Sequence, residues 1–294
     1  MLLRLLIWGC SFYLIQRFSK GNTMFFPSAI FKNRIFILLM AIIALAFILR
    51  TARYALEHKL DKDSVGYIYM AEKVAEGKIN DAIYMNPRIP PLYISLLALG
   101  EYSGIGAEMS GVIVSIFSGI LLLIPVFLIS RKIFGDNIGL ISAFLVATHP
   151  YLIRLSTEVM RDSLFLFLLF SAIAFAVYAA ACPGVPRKWY MAGAFAGLAA
   201  MTRSEGSFFI IAIFIWLLLE AAVQLGKGRV LVFLKGKSVL LICVLAGFLL
   251  VTVPMERYLA DTPSRWSIVD YRISGALRAF TSISEKEIMK KENR

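Results

Sequence analysis

Three short stretches of this chain gather residues able to do chemistry: Asp61 and Asp63; Arg154, Glu158, Arg161 and Asp162; and Arg203 with Glu205. Carboxylates can accept protons and orient hydroxyl groups, while arginine forks hold anionic groups. Metal binding has less support. His58 and His149 are far apart, and neither has a ligand-like partner at i+3 or i+4. Cys10, Cys182 and Cys243 sit in or beside apolar runs without metal spacing and read as packing residues. There is no Walker A pattern, GxGxxG fingerprint, HExxH or GxSxG, so ATP-driven transport and serine hydrolysis find no support.

The elements that must position these residues follow from composition. The 294 residues are 59% hydrophobic and 17% charged, with a mean hydropathy of +0.76. Soluble domains are roughly 45–50% apolar and about 25% charged. The excess is concentrated in long runs, which excludes a soluble enzyme, a disulfide-stapled domain and an alternating-strand barrel. The fold class is therefore all-α, a polytopic helical membrane protein. The runs 34–52, 108–130, 137–153, 163–182 and 237–255 each predict a span, and the stretch 188–222 predicts two. The polar group from Thr202 to Gly206 divides that stretch near 188–202 and 206–222, giving about seven spans. The stretch 90–104 is short, opens on Pro90 and Pro91 and ends at Gly104, so it reads as a helix lying along the outer surface.

Orientation follows from the basic residues. Lys32 and Arg34, the pairs Arg131-Lys132 and Arg187-Lys188, and the group Lys227, Arg229, Lys235 and Lys237 fall in alternate connections. The positive-inside rule places them in the cytoplasm. The net charge of +12 then reflects loops facing anionic lipid headgroups, not nucleic acid. Residues 1–33 read as a cytoplasmic or interfacial segment, 34–255 as the membrane domain and 256–294 as an extracytoplasmic polar tail. All three chemistry-bearing stretches face outward.

Each candidate also has a plainer reading. Asp63 precedes an amphipathic stretch closed by Gly77 and could be its N-cap. Asp162 could cap the following span. Arg203 could snorkel to the headgroups with Glu205 neutralising it. Phe208 and Phe209 read as packing or lipid-facing residues, and Glu220 as interfacial.

The blocks and their order resemble the membrane half of the type C-fold lipid-linked-sugar glycosyltransferases. That group includes protein O-mannosyltransferases, lipid A aminoarabinose transferases and related bacterial hexosyltransferases. The family's outer-loop Asp-Glu-x-x-Tyr looks like Asp63-Ser64-Val65-Gly66-Tyr67, with Ser64 in place of the second acid. Pro90-Pro91-Leu92-Tyr93, Arg131-Lys132-Ile133-Phe134-Gly135, Arg161-Asp162-Ser163-Leu164-Phe165 and Thr202-Arg203-Ser204-Glu205-Gly206 come after it in order. The resemblance covers about 34–255, and related chains usually continue with further spans.

The resemblance implies a multi-pass cell-membrane enzyme moving a sugar, a hexose or a pentose, from a polyprenyl-phosphate donor to a hydroxyl acceptor on a glycan, lipid or protein. It implies Asp63 as the catalytic base, Arg203 and Arg161 as phosphate holders, and Asp162, Glu205 and Tyr67 as substrate-binding neighbours. The prenyl chain would lie between apolar helices, with Phe208 and Phe209 as wall residues. A single carboxylate at the motif position fixes no coordination set, so a divalent metal is left open. A lipid-linked-sugar flippase and a catalytically silent membrane subunit are the alternatives.

Overall fold

The computed structural model describes residues 33–259, apart from 58, 87–88, 182–184 and 226–229. The expected interfacial segment 1–33 and polar tail 256–294 thus lie almost wholly outside the described residues, as do Lys227 and Arg229. The regular structure among the described residues is helical throughout. In chain order the helices are α1 (Asn33–Leu56), α2 (Lys62–Ala75), α3 (Ile79–Met85), α4 (Pro91–Tyr102), α5 (Ala107–Leu121) and α6 (Leu123–Phe134). They continue with α7 (Asp136–Thr148), α8 (Pro150–Thr157), α9 (Asp162–Ala181) and α10 (Pro186–Ala200). A 3-10 turn (Ser204–Ser207), α11 (Phe208–Leu225) and α12 (Val230–Leu259) complete the order.

Five stretches are long and apolar enough to cross a bilayer: Arg34–Leu56, Ala107–Phe134, Asp162–Ala181, Ser204–Ala221 and Lys237–Met255. The pair α7 and α8 makes a sixth if its 57° bend lies within one crossing. Local chemistry explains the interruptions. Pro125 has no N–H for the Leu121 carbonyl, yet Leu122 keeps helical angles (φ −55°, ψ −29°), so α5 and α6 run on as one rod. Before Pro150, His149 is forced extended (φ −64°, ψ 118°), and the chain restarts as α8 with the proline in its first turn.

The expected seventh span differs. Helix α10 has 15 residues, about 22 Å at 1.5 Å per residue, against a hydrocarbon core of about 30 Å. By length it is not a full crossing. It is instead clasped between α9 and α12, and it approaches α12 backbone to backbone. A Cβ at Gly193 would overlap the Val244 carbonyl, one at Gly247 would overlap the Tyr190 carbonyl, and one at Gly197 would lie 3.0 Å from the Phe248 oxygen. Small residues permit this contact where lipid supplies no hydrophobic drive between helices.

Helices α2 to α4 pack on one another and, through α2 and α4, on α5. Helix α4, at 12 residues, is too short to cross, as expected for 90–104. Helix α2 ends at Gly77, whose φ of +78° a side chain would disfavour. The bundle has two distinct ends. At one, Lys132 lies 5.7 Å from the Tyr178 ring centre and Lys237 lies 5.0 Å from that of Trp216, with Trp189 stacked on Trp216. Asp162 opens α9 at the other end, about 30 Å away for a 20-residue helix.

Candidate functional site

Helix α2 starts after Asp61, whose extended backbone (φ −79°, ψ 165°) and carboxylate, accepting the Lys62 N–H at 2.7 Å, make it the N-cap. The cap role open to Asp63 therefore falls to Asp61. Asp63 sits in the first turn, where the helix dipole favours an acid. It is exposed and has no hydrogen bond or ion pair among the described residues. One turn later Tyr67 points inward, 5% exposed, with its ring edge-on to Tyr93 at 5.6 Å and 80°.

Tyr93 connects this helix to the rest of the site. Its phenol lies 3.4 Å from the Ser115 hydroxyl on α5, which in turn donates to the Met160 carbonyl at 3.1 Å. The turn between α8 and α9 is thus hung on α5, bringing Arg161 and Asp162 to the Tyr67 side. The Arg161 guanidinium carbon stands 5.8 Å from the Tyr67 ring centre. Its Nε and Nη1 are shut off from solvent and have no acceptor among the described residues.

The third stretch arrives from α10. The Leu92 N–H donates to the Met201 carbonyl at 2.9 Å, tying the start of α4 to the end of α10. The chain then turns so tightly that any Cβ at Gly206 would overlap the backbone of Ala199 and Ala200. Arg203 opens this turn in an extended conformation (φ −145°, ψ 134°). Its Nη1 donates to Asp162 Oδ1, and its Nε pairs with Glu205 Oε2 at 3.6 Å. Its guanidinium carbon lies 5.7 Å from the Phe165 ring centre.

Electrostatics ties the three stretches together at Tyr67. Burial pushes its phenol above the ordinary range; the neighbouring Arg161 opposes this, Asp63 and Asp162 reinforce it, and Arg203 opposes it. The hydroxyl is therefore held protonated, a donor and not a base. Burial works against the Arg203 charge, but Asp162 and Glu205 outweigh it and hold the guanidinium above its usual value.

Every singled-out residue of the three stretches except Arg154, Glu158 and Asp61 thus lies in one neighbourhood. Arg154 and Glu158 pair with each other at 2.8 Å, with Arg154 largely exposed. Phe209 is 8% exposed in a packed cluster with Trp189 and Leu240, which corrects its expected place in a groove wall, whereas Phe208 is exposed. Among the described residues no three His, Cys, Asp or Glu side chains come together to hold a metal ion. Sequence reasoning assigns no role to Tyr93 or Ser115. Tyr93 carries a usable signal, a tyrosine inside one of the matching blocks, whereas Ser115 is one small residue among many in a span.

No curated protein and no solved structure matches this chain. A family model described as dolichyl-phosphate-mannose-protein mannosyltransferase matches residues 89–250, more than half of the chain. The match takes in Tyr93, the Arg161-Asp162 pair and the Arg203-Glu205 turn, and begins after Asp63. With helices built to cross a bilayer and a cluster of arginines and acids at one end, the chain belongs to the dolichyl-phosphate-mannose-protein mannosyltransferase family of membrane glycosyltransferases, which use lipid-linked sugar donors.

Proposed function

We propose that the protein transfers a sugar from a polyprenyl-phosphate donor to a hydroxyl group at the extracytoplasmic face of the cell membrane. The acceptor oxygen attacks the anomeric carbon as the bond from that carbon to the phosphate oxygen breaks. The phosphate leaves with the electron pair, and Asp63 takes the hydroxyl proton. Phosphate is a good leaving group, so the site needs a base and a stabiliser of the departing charge more than a strong acid.

One observation supports the assignment: Arg161, whose Nε and Nη1 have no acceptor among the described residues, stands beside Tyr67, whose phenol also feels Asp63, Asp162 and Arg203. Arg161 is the residue positioned to bind the donor phosphate. Arg203 is already engaged by two carboxylates, so it frames the site and contributes field more than direct contact. The outward orientation is supported by the separation of Lys132 and Lys237, at one end of the bundle, from the acidic and arginine cluster at the other.

The test is turnover by purified Asp63→Asn protein with a radiolabelled polyprenyl-phosphate sugar and a hydroxyl acceptor. A fall of about 10²–10⁴-fold is expected for removal of a general base. Turnover within about tenfold of the unmodified protein would remove Asp63 from that role. Labelled sugar that crosses liposomes without becoming bonded to acceptor would replace transfer with lipid flipping.

A further inference from the structure

Arg50 is an arginine inside a membrane span and is fully buried, at 0% exposure. An ionised side chain at that depth is costly unless something compensates it. Its Nη1 donates to the carbonyl of Ala46 at 3.2 Å and, across the bundle, to that of Ala147 at 3.3 Å. Ala147 is in the last turn of α7, where the carbonyls have no partner within the helix and carry the negative end of its dipole. The break before Pro150 creates that exposed end. The broken helix thus gives one nitrogen of the buried cation an acceptor, while Nε and Nη2 have none among the described residues.

Helix α8, on the far side of the break, is also held in place by α1 and α5. The α5 face turned toward α8 presents small residues one turn apart, Gly111, Ser115 and Gly119. A Cβ at Gly119 would overlap Ser156 of α8 and lie 3.0 Å from Arg50 Nε, so all three meet at one point. A Cβ at Gly111 would press on Val159, and Ser115 binds the Met160 carbonyl. Ser163, next to Asp162, lies 3.4 Å from the Ser156 hydroxyl. An unbroken series of contacts thus runs from Arg50 through α8 to the start of α9.

We infer that Arg50 is a positioning residue: by holding the broken end of α7 it sets the angle of α8, and through it the placement of Arg161 and Asp162. The role in catalysis rests on the proposed phosphate contact of Arg161; the mechanical role does not. Asp63 is carried by α2, which packs chiefly on α4 and more lightly on α5, so a shift of Arg161 and Asp162 is expected to tell on the donor side first.

The experiment uses the full chain with its native cysteines replaced by serine and a single cysteine at Met160, a half-buried position. Labelling by a membrane-impermeant maleimide is compared in the Arg50→Met, Arg50→Lys and parent proteins, alongside donor and acceptor KM. Arg50→Met should label at least about tenfold faster and raise donor KM about ten- to a hundredfold, as expected when a positioning contact is lost. Acceptor KM should stay unchanged. Arg50→Lys, which keeps a cation and a donor for the Ala147 carbonyl, should stay within about threefold of the parent in both readouts. Labelling at the parent rate in both variants overturns the inference, whatever turnover does. A lower kcat with unchanged donor KM also overturns it, because that reports only a loss of folded protein. Faster labelling of Arg50→Met, but not of Arg50→Lys, when the parent itself transfers no sugar upholds the mechanical role and removes the proposed function instead.

Discussion

Arg203 and Asp162, 41 positions apart, are joined by a direct hydrogen bond that closes the turn after α10 onto the first turn of α9. Both side chains are partly exposed, at 29% and 23%, so the pair keeps more than a surface bridge's worth without the full desolvation cost of a buried one. Removing either partner should lower stability by about 1.5–3 kcal/mol, the range for hydrogen bonds to charged groups. Asp162→Asn combined with Arg203→Met should cost less than the two single changes added together. A thermal-unfolding double-mutant cycle in detergent checks this, and strict additivity would show that the two residues act separately.

Arginine-to-lysine changes should separate the two arginines. Arg161→Lys removes the planar fork beside Tyr67, and donor affinity should fall about tenfold or more as bidentate phosphate binding is lost. Arg203→Lys should mainly lower thermal stability, with donor affinity changed by less than about threefold, because its contacts are to protein carboxylates. Donor binding by the two variants, followed with a fluorescent polyprenyl-phosphate analogue, gives the comparison. The opposite order would return the phosphate to Arg203.

Alkaline pH should weaken the fold through its buried phenols. Burial raises Tyr67 and Tyr93 above their ordinary values, so both bind protons more tightly folded than unfolded. Their contribution to stability is then complete below about pH 10, the unfolded value, and is lost as the pH rises through the folded values. Apparent Tm measured from about pH 7 to 11 should drop above about pH 10, and Tyr67→Phe should flatten part of that drop. Tyr67→Phe keeps the ring beneath Arg161 and should keep donor affinity, whereas Tyr67→Ala should not.

The α10–α12 contact gives a packing prediction with its own control. Gly193→Ala drives a methyl group into the Val244 carbonyl and should cost about 1–3 kcal/mol or more. Gly66→Ala, where nothing lies within 4 Å of the added carbon, should be neutral or stabilise by about 0.4–1 kcal/mol. Detergent Tm values of the two variants decide it. Equal behaviour would mean that α10 and α12 do not meet as closely as their glycines allow.

Much of this arrangement can be read from the chain itself. Continuous apolar runs specify helices because an unpaired backbone is not tolerated in lipid. Gly77, Pro91 and Pro150 mark ends by their own conformational limits. Asp61 is harder to distinguish from Asp63, since two acids of equal capping power stand two positions apart and only the backbone angles choose between them. The Arg203 partner in α9 is invisible in the sequence, because local pattern offers Glu205 two residues away and nothing in spacing reports a neighbour 41 positions off. Arg50 reads there only as the end of an apolar run. Whether such an arginine reaches the headgroups or turns inward depends on which carbonyl faces it, and that carbonyl belongs to a helix broken nearly a hundred residues later.

Ser64 is fully enclosed, with no partner for its hydroxyl among the described residues, while Asp63 beside it is exposed. Adjacent residues of a helix diverge by about 100°, so a motif with acids at both positions would have sent one outward and one into the protein. Restoring glutamate at 64 would not enlarge an acidic rim. It would plant an ion in a sealed interior and oblige α2 to roll or acquire a new cation, so in this chain serine at that position is what allows the solitary acid at 63 to keep its outlook.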